Sequence, residues 1–464
     1  MDYEKRAYYR NIRVIVSEII MVLVVIVTVV ILAFVVSGYW LNSDFKLERQ
    51  GMLQISSIPT GADVAVDGES AWNQRTNTSK VLSSGKHDIS VTKEGYDSWS
   101  RSINIREGLL YRIHYPRLFL QNREKNPVLD VSNATYATVS PNREHMLLVN
   151  NTTEWELVNL THDSLEKKPI DIAGHFSGTS LASGAPKGLF IGSIVSASWS
   201  TNNEKVLIES SYNGTSEWVV LDIKNPTASL NLTRLFNMNF SRISIMDDSA
   251  AHLIALANGN LHTIDLGARQ ISAILAQDVV DYDHYNSEII FSAKKEEKYY
   301  IGIIKNQDEP QKEIFKYDTP ASVAILRFYD DIYVSIAVDG KNVVYKKDDL
   351  SEYFSGEISI IPETYNVGHA GEFVVASSGQ NIVTVDMEAM EVVEWSIDSV
   401  HYGWLDSDML YAVNDGELVV RDYDGLNRRS LAKNVSSHFP VMITGDKWLY
   451  YFSDGDLIRE VIRN

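Results

Sequence analysis

The chain has 464 residues, of which 45% are hydrophobic and 22% are charged. This composition places it among globular proteins and excludes a disordered or low-complexity chain. A net charge of −19, without a Lys/Arg stripe beyond the first residues, excludes a surface for nucleic-acid phosphates. The absence of cysteine excludes disulfides, thiolate metal sites and cysteine nucleophiles.

The first predicted element is a transmembrane helix that follows a short tail, residues 1–18. Ile19–Val36 is an apolar run, IIMVLVVIVTVVILAFVV, which as a helix is roughly 27 Å long and nearly spans a hydrocarbon core. Tyr39 and Trp40 fit an aromatic belt at the membrane interface. We therefore predict a span over 19–40, with the lipid bilayer as the partner of Ile19 to Trp40.

The charges beside this run predict its orientation. Basic residues dominate before the run, where Lys5, Arg6, Arg10 and Arg13 lie. After the run the charges are mixed, with Lys46 and Arg49 beside Asp44 and Glu48. By the positive-inside rule, the N-terminus is cytoplasmic and the bulk lies outside the cytoplasm, at the cell surface or in the periplasm. The alternative is a signal peptide cleaved at Val35-Val36-Ser37, but the run exceeds the usual signal-peptide core of about 7–15 residues.

After a linker, residues 41–51, the sequence predicts a small antiparallel β domain over 52–121. Apolar and polar residues alternate in four runs, as they do in half-buried strands. These runs are Met52–Ile58, Asp63–Val66, His87–Val91 and Ser102–Ile105. Asp67-Gly68 predicts a tight hairpin turn that needs positive φ.

Two motifs in this region resemble those of PEGA domains. The first is Ser57–Gly68 (SIPTGADVAVDG), and the second combines Gly85-Lys86-His87 with Lys93-Glu94-Gly95-Tyr96. Pro-Thr-Gly-Ala stands where the family has Pro-Glu-Gly-Ala, and the family's usual Thr-Pro is missing from Asn77–Ser84. The resemblance implies an extracytoplasmic β module of prokaryotic envelopes, and it implies no catalysis.

The rest of the chain repeats one plan, in which short apolar strands alternate with polar turns. The strand spacing is too short for intervening helices, which disfavours parallel α/β folds and suits four-stranded propeller blades. We count eight copies: Tyr136–Leu160, Val195–Ile223, Ile243–Leu266, Tyr282–Lys305, Ile325–Lys347, Tyr365–Met387, His401–Tyr423 and His438–Val461. The segments between copies, such as Arg269–Leu275 and Arg428–Val435, are predicted fourth strands.

The ring of repeats is predicted to close on itself. The last copy has no fourth strand after it, and Val128–Ser132 precedes the first copy where that strand would lie; pairing the two leaves no open sheet edge. Ser140–Arg143 (SPNR) and Ala197–Ser200 (ASWS) are similar to repeats of TolB-like and WD40-like propellers. The predicted fold class is therefore all-β, with a propeller of eight blades over 122–464. Seven blades, or a pair of β-sandwiches, are the alternatives.

Motifs that would carry chemistry are weak. Gly178–Ser183 resembles the serine motif of subtilisin-type proteases, but the Asp and His motifs of that family are missing. Asp422–Gly425 and Asp454–Asp456 resemble calcium loops without an acidic last ligand, so we predict turns there. The 11 histidines have no zinc-ligand spacing. We expect no catalytic residue, no cofactor and no metal.

The chain is rich in Asn-x-Ser/Thr sequons, which are acceptors for N-glycans on exposed loops of secreted proteins. They begin at Asn77, Asn133, Asn150, Asn151, Asn159, Asn213, Asn231, Asn239 and Asn434. Propeller turns are also rich in Asn, Ser and Thr, and we favour this explanation because the resemblance to PEGA domains implies a prokaryotic protein.

The longest interruption of the repeat is His162–Ile194. Long insertions on a rigid scaffold often carry binding residues, although a disordered spacer fits equally well. The candidate binding residues are two lysines, a histidine and three apolar residues: Lys167, Lys168, His175, Phe176, Leu189 and Phe190.

Together these features predict a membrane-anchored envelope protein that presents a non-catalytic propeller to an envelope protein or a glycan. The alternative is an envelope enzyme with its active site in the propeller channel, where a glycosidase would need paired carboxylates. A third possibility is assembly through the membrane helix, whose only pair of small residues at helical spacing is Ala33 and Ser37.

Overall fold

The computed structural model describes residues 2–36, 39–41, 47–161, 165–172, 174–176, 190, 192–305, 311–367 and 372–464. The chain divides into two compact units, Met1–Asn122 and Arg123–Asn464. Each unit has its own buried hydrophobic core.

Unit 1 begins with a long helix, α1, at Asp2–Val36. Its stretch Val16–Phe34 is long and apolar enough to cross a membrane, and none of it is buried against protein. A stretch of β-branched residues forms a helix readily in lipid, where every backbone N–H and C=O must bond within its own segment. In length and composition α1 fits a membrane anchor, and it also fits an N-terminal signal sequence.

The rest of unit 1 is two four-stranded sheets. Its strands are β1 Tyr39–Leu41, β2 Leu47–Ile55, β3 Asp63–Val66, β4 Glu69–Arg75, β5 Thr78–Ser83, β6 Gly85–Thr92, β7 Trp99–Ile105 and β8 Leu110–Ile113. One sheet has the order β1-β2-β5, with β8 parallel to β2, and the other has the order β4-β3-β6-β7.

The two sheets of unit 1 enclose its core. Alternate residues face inward because the side-chain period of a strand is two, so Leu53, Val64 and Trp99 are almost fully buried. The sheets approach closely at Gly51, where an added Cβ would lie 2.5 Å from Ile105 Cγ2. The hairpin turn predicted at Asp67-Gly68 is confirmed, since both residues have positive φ.

The described residues of unit 2 form eight four-stranded antiparallel sheets, called blades 1 to 8 in chain order. Before blade 1 lies β9 Lys125–Asp130. Blade 1 contains β10 Ala134–Val139, β11 His145–Asn150, β12 Glu154–Asn159 and β13 Lys167–Asp171, and blade 2 contains β14 Ser193–Trp199, β15 Lys205–Tyr212, β16 Thr215–Asp222 and β17 Leu230–Asn231. Blade 3 contains β18 Arg242–Ile245, β19 His252–Ala257, β20 Asn260–Asp265 and β21 Gln270–Ile271, and blade 4 contains β22 Val279–Tyr285, β23 Glu288–Lys295, β24 Lys298–Ile304 and β25 Lys312–Tyr317. A short helix, α2 Leu232–Phe236, follows β17.

Blades 5 to 8 continue the same plan. Blade 5 contains β26 Ser322–Phe328, β27 Asp331–Val338, β28 Lys341–Lys346 and β29 Glu352–Glu357, and blade 6 contains β30 Thr364–Val367, β31 Phe373–Ser378, β32 Asn381–Asp386 and β33 Glu391–Ser396. Blade 7 contains β34 Tyr402–Trp404, β35 Met409–Asn414, β36 Glu417–Asp422 and β37 Arg429–Ala432, and blade 8 contains β38 Met442–Thr444, β39 Trp448–Ser453 and β40 Asp456–Val461. The last sheet is completed by β9, which pairs antiparallel with β40.

Successive blades pack face to face through buried aliphatic and aromatic side chains. One cluster joins blades 1 and 2, another joins blades 2 and 3, and a third joins blades 8 and 1. Because blade 8 packs on blade 1 and is completed by the N-terminal strand, unit 2 is a closed eight-bladed propeller. The predicted blade count and closure are confirmed, but the closing strand is Lys125–Asp130, displaced toward the N-terminus from the predicted Val128–Ser132.

Candidate functional site

The first strands of four blades surround a cavity of about 770 Å³. These strands are β10, β14, β34 and β38, from blades 1, 2, 7 and 8, which are consecutive in the closed ring. The first strands of blades 7 and 2, at the two ends of this series, can line the same cavity only if the first strand of each blade faces the centre of the ring. The cavity is therefore part of the central channel, where propellers commonly hold their ligands.

The cavity wall combines polar surface with seven aromatic side chains. Its rings belong to Tyr136, His401, Tyr402, Trp404, Tyr411, His438 and Phe439. The His401 and His438 rings meet edge to face, with centroids 4.9 Å apart. Val195 and Val400 also line the cavity, and their side chains are 55% and 63% exposed. A ligand seated here would cover apolar surface that now faces water.

The exposure of Val195 has a local structural cause. The register of the pair β14–β15 shifts between Ile194 and Ser196, so Val195 is the extra residue of a β-bulge and has no partner across the ladder. Thr135 occupies the same place in blade 1, where the register shifts between Ala134 and Tyr136. Bulges in these inner strands thus turn additional side chains toward the channel.

The charge of the cavity wall is opposite in sign to that of the whole chain. None of the described residues that line it is Asp or Glu, whereas Arg143 and two histidines are among them. Arg143 is held at the rim, because its Nη1 donates to the Ile443 carbonyl at 2.7 Å and its Nη2 lies 4.0 Å from Asp406 Oδ1. The wall thus offers cationic or neutral donors.

Two tyrosines supply hydroxyl groups that stay protonated at neutral pH. Burial raises the pKa of Tyr136, and the neighbouring Tyr411 adds to that shift. Burial also raises the pKa of Tyr411, and a hydrogen bond from the Val441 N–H offsets this only in part. The Tyr411 ring lies against the backbone of Gly403, where an added Cβ would stand 3.1 Å from Tyr411 Cε1. A glycine in β34 therefore makes room for this ring.

The turns that follow the inner strands of blades 1 and 2 share one hydrogen-bond pattern. Ser140 Oγ donates to Asn142 Oδ1 at 2.7 Å, and Ser200 Oγ donates to Asn202 Oδ1 at 2.7 Å. The next turn residue of blade 2, Asn203, accepts from the Asn142 N–H at 3.1 Å through its Oδ1. The repeated Ser-x-Asn motif therefore shapes each turn and links the turn of one blade to the next.

On the other side of the ring, two aspartates of β22 tie blade 4 to blade 5. Asp281 Oδ2 accepts from the Val323 N–H at 2.9 Å, and Asp283 Oδ2 accepts from the Ile325 N–H at 2.7 Å. Burial raises the pKa of Asp283, against the hydrogen bonds it accepts. Sequence reasoning missed this pair, although two aspartates at alternate positions of a predicted inner strand were a usable signal. Because they accept hydrogen bonds from backbone amides of blade 5, these aspartates stabilise the packing of blade 4 against blade 5.

The structure describes five of the six residues of the predicted binding loop and distributes them among different environments. Lys167 and Lys168 lie in β13, and Lys167 Nζ is 3.1 Å from Glu156 Oε2. Burial lowers the pKa of His175, whose carbonyl accepts from Asn231 Nδ2 at 3.0 Å. Leu189 and the segment Gly178–Ser183 lie outside the described residues.

The two phenylalanines of the predicted loop are core residues. Phe176 and Phe190 are 1% and 2% exposed and pack between blades 1 and 2. Their ring centroids are 5.1 Å apart, and both lie within 5.5 Å of Trp155. These two rings of the predicted loop, His162–Ile194, are packed in the core and are not free for a partner, so binding by the rest of the loop stays a prediction.

The two segments that resemble calcium loops contain turns, at residues 423–424 and 454–455. Asp422 is 1% exposed, accepts from Asn427 Nδ2 at 2.8 Å and lies 3.7 Å from Arg429 Nη2. Within the described part of the chain, no three His, Asp or Glu side chains converge as a metal site would require. Three of the sequon asparagines, Asn77, Asn213 and Asn434, lie at positive φ, the conformation that favours Asn in turns.

Residues 50–117 match the family model of the PEGA domain. The chain therefore contains a PEGA domain, as the sequence predicted. The PEGA motifs hold turns: Asp67 Oδ1 accepts from the Asp88 N–H at 2.9 Å, and Asp67 Oδ2 lies 2.7 Å from His87 Nδ1. These two hydrogen bonds lower the pKa of Asp67. A PEGA domain joined to a propeller indicates a binding or scaffold role.

Comparison with curated proteins returns no match. Among solved structures, the chain is similar to the Dos1 propeller, with a TM-score of 0.43 and 12% identity over 74% of this chain and 94% of that one. It is also similar to the Cps50 (Swd1) β-propeller domain of Myceliophteria thermophila, with a TM-score of 0.42 and 10% identity over 74% and 100%. An oligogalacturonate lyase in complex with manganese gives a TM-score of 0.39 and 14% identity over 57% and 88%. All three scores are below 0.5, and the propeller fold rests on the sheet order and the closing strand pair.

Proposed function

We propose that this chain is a membrane-anchored, non-catalytic binding protein of the cell envelope. Its α1 anchors it, its PEGA domain and propeller lie outside the cytoplasm, and the propeller takes part of a glycan or an envelope protein into the central cavity. The observation that carries the proposal is a cavity of about 770 Å³ whose described lining has aromatic rings and hydroxyl donors but no carboxylate.

The chemistry of this wall suits recognition by stacking and hydrogen bonding. Aromatic faces pack against the apolar faces of sugar rings or against peptide side chains, and neutral hydroxyls fix orientation without a charge to desolvate. The exposed side chains of Val195 and Val400 add apolar area near the rings. Because these groups stand on paired strands of consecutive blades, the site is preformed and little binding energy is lost in ordering it.

Binding is tested with the full chain in lipid nanodiscs, on arrays of bacterial-envelope glycans and peptides. We expect retention on one class of glycan or peptide, lost when His438 and Trp404, both in the cavity wall, are replaced together by Ala. Leu426→Ala is the matched control, because Leu426 is 51% exposed outside the lining. Binding that survives the double substitution would show that the cavity is not the binding site.

The alternative is an enzyme in the channel, and one observation favours it: the contact between the His401 and His438 imidazoles. A histidine acid–base pair that cleaves glycans would release products from the array ligands. Incubation of the retained ligand with the full chain, followed by mass spectrometry, decides between the two functions. Unchanged ligand supports binding alone, and His-dependent cleavage overturns the non-catalytic proposal.

The proposed topology has its own test, which uses the absence of native cysteine. A single cysteine at Glu4 or at Glu94 is treated with a membrane-impermeant maleimide in intact cells that lack an outer membrane. We expect labelling at position 94 only, and labelling at position 4 only after the membrane is permeabilised. The reverse pattern would contradict the N-in, C-out orientation.

A further inference from the structure

An exposed apolar row crosses the outer face of the first sheet of unit 1. Met52 of β2 lies directly opposite Val81 of β5 on one side and opposite Leu110 of β8 on the other. Residues opposite each other in a sheet share a face, and these three side chains are 43%, 52% and 41% exposed. Leu109, beside Leu110, is 56% exposed. We call these four residues the apolar row.

The position of the row is unusual for exposed aliphatic side chains. The neighbour of Met52 along β2, Leu53, is 1% exposed and faces the core, so the alternation of β2 already fills the interior. An outer sheet face that contacts only water normally carries polar side chains. A contiguous exposed apolar row of this kind is a candidate contact surface.

The strand register places the row near the end of α1. Tyr39 in β1 lies opposite Arg49 in β2, and the two strands are antiparallel. Beyond Arg49, β2 therefore runs back in the direction from which β1 comes. Val36, the last residue of α1, is three residues before Tyr39, so at most about 11 Å of chain separates the two. Met52 is three residues beyond Arg49 in β2, about 10 Å along the strand. The row therefore lies within a short reach of the end of α1.

The loop between β7 and β8 lies at the same end of the sheet. The Gly108 N–H donates to the Gln50 carbonyl at 3.0 Å, and the Met52 N–H donates to the Leu109 carbonyl at 2.9 Å. Two exposed arginines stand on either side of the two leucines in the chain, Arg106 and Arg112, together with the exposed Glu107 beside Arg106. Exposed aliphatic residues flanked by arginines suit a bilayer interface, where aliphatic side chains enter the acyl boundary and cations meet lipid phosphates.

We propose that the apolar row rests in the interface of the bilayer that α1 spans, so that the PEGA domain is a second membrane contact. This inference rests on the proposed anchor. The contact would hold the sheet of β2 against the lipid headgroups and would fix the orientation of unit 1 relative to the membrane. The occupant is the lipid surface, with a second copy of this chain as the competing outcome.

The test uses single cysteines in the full, otherwise cysteine-free chain, labelled with an environment-sensitive NBD probe. The chain is reconstituted in phosphatidylethanolamine/phosphatidylglycerol vesicles of three kinds: without a quencher, with lipids that carry a doxyl quencher near the headgroup, and with lipids that carry it deep in the acyl chain, where it reaches the middle of α1. Val81→Cys and Leu109→Cys probe the row. Val27→Cys, inside α1, reports on the anchor, and Glu94→Cys, in the exposed connection between β6 and β7, is the matched control at the opposite end of the domain.

We expect the probes at positions 81 and 109 to emit at shorter wavelength and to be quenched about two-fold more strongly than the probe at position 94, because interfacial residues approach the shallow quencher. Quenching at position 27 together with no excess at 81 and 109 would overturn the inference and leave the anchor intact. Emission at shorter wavelength without lipid quenching, with crosslinks between two copies of the Val81→Cys variant, would overturn it in favour of a dimer. Failure to quench at position 27 would remove both the anchor and the inference.

Discussion

The guanidinium of Arg123 donates its Nε–H to the carboxylate of Glu460, and its Nη2 donates to the Leu431 carbonyl at 2.5 Å. Arg123 is the first residue of unit 2, whereas Glu460 lies in the last strand and is 0% exposed. The Tyr451 hydroxyl donates to the other carboxylate oxygen at 3.0 Å. One buried ion pair therefore fastens the N-terminal end of the propeller to blade 8 and to the adjoining blade 7.

Arg123→Ala should destabilise the propeller strongly, because it leaves the buried Glu460 carboxylate without its cation. Removing one partner of a buried pair costs about 3–5 kcal/mol. Guanidinium-chloride unfolding of the full chain in detergent, followed by tryptophan fluorescence, measures the loss. Lys125→Ala is the control, since Lys125 is an exposed residue two positions further along the chain, at the start of β9. Equal stability of the two variants would show that closure depends on the strand pairing alone.

Phe176→Ala tests whether Phe176, in the middle of the predicted binding loop, is a core residue. Phe176 is 1% exposed and lies between Trp155 and Phe190, so the substitution should lower the free energy of unfolding by about 3–5 kcal/mol. Lys168→Ala, on an exposed position of β13, should change stability little. Replacing residues 177–189 with a Gly/Ser segment of equal length keeps both phenylalanines. If that replacement abolishes partner binding while stability is unchanged, the loop is a binding element.

These rings illustrate which features can be predicted from the sequence. Strands and blade count follow from alternation and turn residues, which are local, and the turn predicted at Asp454–Asp456 is confirmed by positive φ at Asp454 and Gly455. Phe176 in a long insertion gives no local sign that it returns to the core. The two aspartates of β22 do give a local signal but their partners do not, because the Val323 amide that Asp281 binds belongs to the next blade. The central cavity could not be predicted for this reason, because its wall joins β10 and β14 to β34 and β38, which are distant in sequence.

The stability of the propeller should depend on the ionisation of Asp247. Burial raises the pKa of this carboxyl, but hydrogen bonds from the Ala251 N–H, the His252 ring and N–H, and Ser249 outweigh burial and lower it to about 2, from 3.8. A lowered pKa stabilises the fold above the unfolded-state value, and this contribution is lost as the pH falls from about 4 to about 2. The stability difference between the wild type and Asp247→Asn should therefore be constant above about pH 5 and shrink below pH 4.

The ionisation of Asp283 should have the opposite effect on the stability of the propeller. Burial raises its pKa above the ordinary value, so ionisation above the unfolded-state pKa opposes folding and protonation favours it. Asp283→Asn keeps an oxygen that accepts from the Ile325 N–H and removes the charge. Relative to the wild type it should be neutral or stabilising at pH 7, and this advantage should disappear as the pH falls below the unfolded-state pKa. Parallel pH profiles for both variants would contradict the assignment.

Val400→Asp separates the cavity from the stability of the propeller. Val400 lines the cavity and its side chain is 63% exposed, so a carboxylate there meets water and should change the free energy of unfolding by no more than about 0.5 kcal/mol. The same carboxylate removes apolar area from the wall and introduces an acidic group where the described lining has none. A ligand that stacks on the wall should lose about ten-fold or more in affinity, because a buried charge without a partner is costly.

Leu426→Asp is the matched control for Val400→Asp, since Leu426 is 51% exposed and lies outside the cavity lining. Isothermal titration with the ligand retained on the arrays, next to thermal unfolding of each variant, measures both quantities. Loss of affinity in Val400→Asp alone, with equal melting temperatures, assigns binding to the channel. Equal affinity in both variants would move the binding surface away from the inner strands, to the loops at the ends of the propeller.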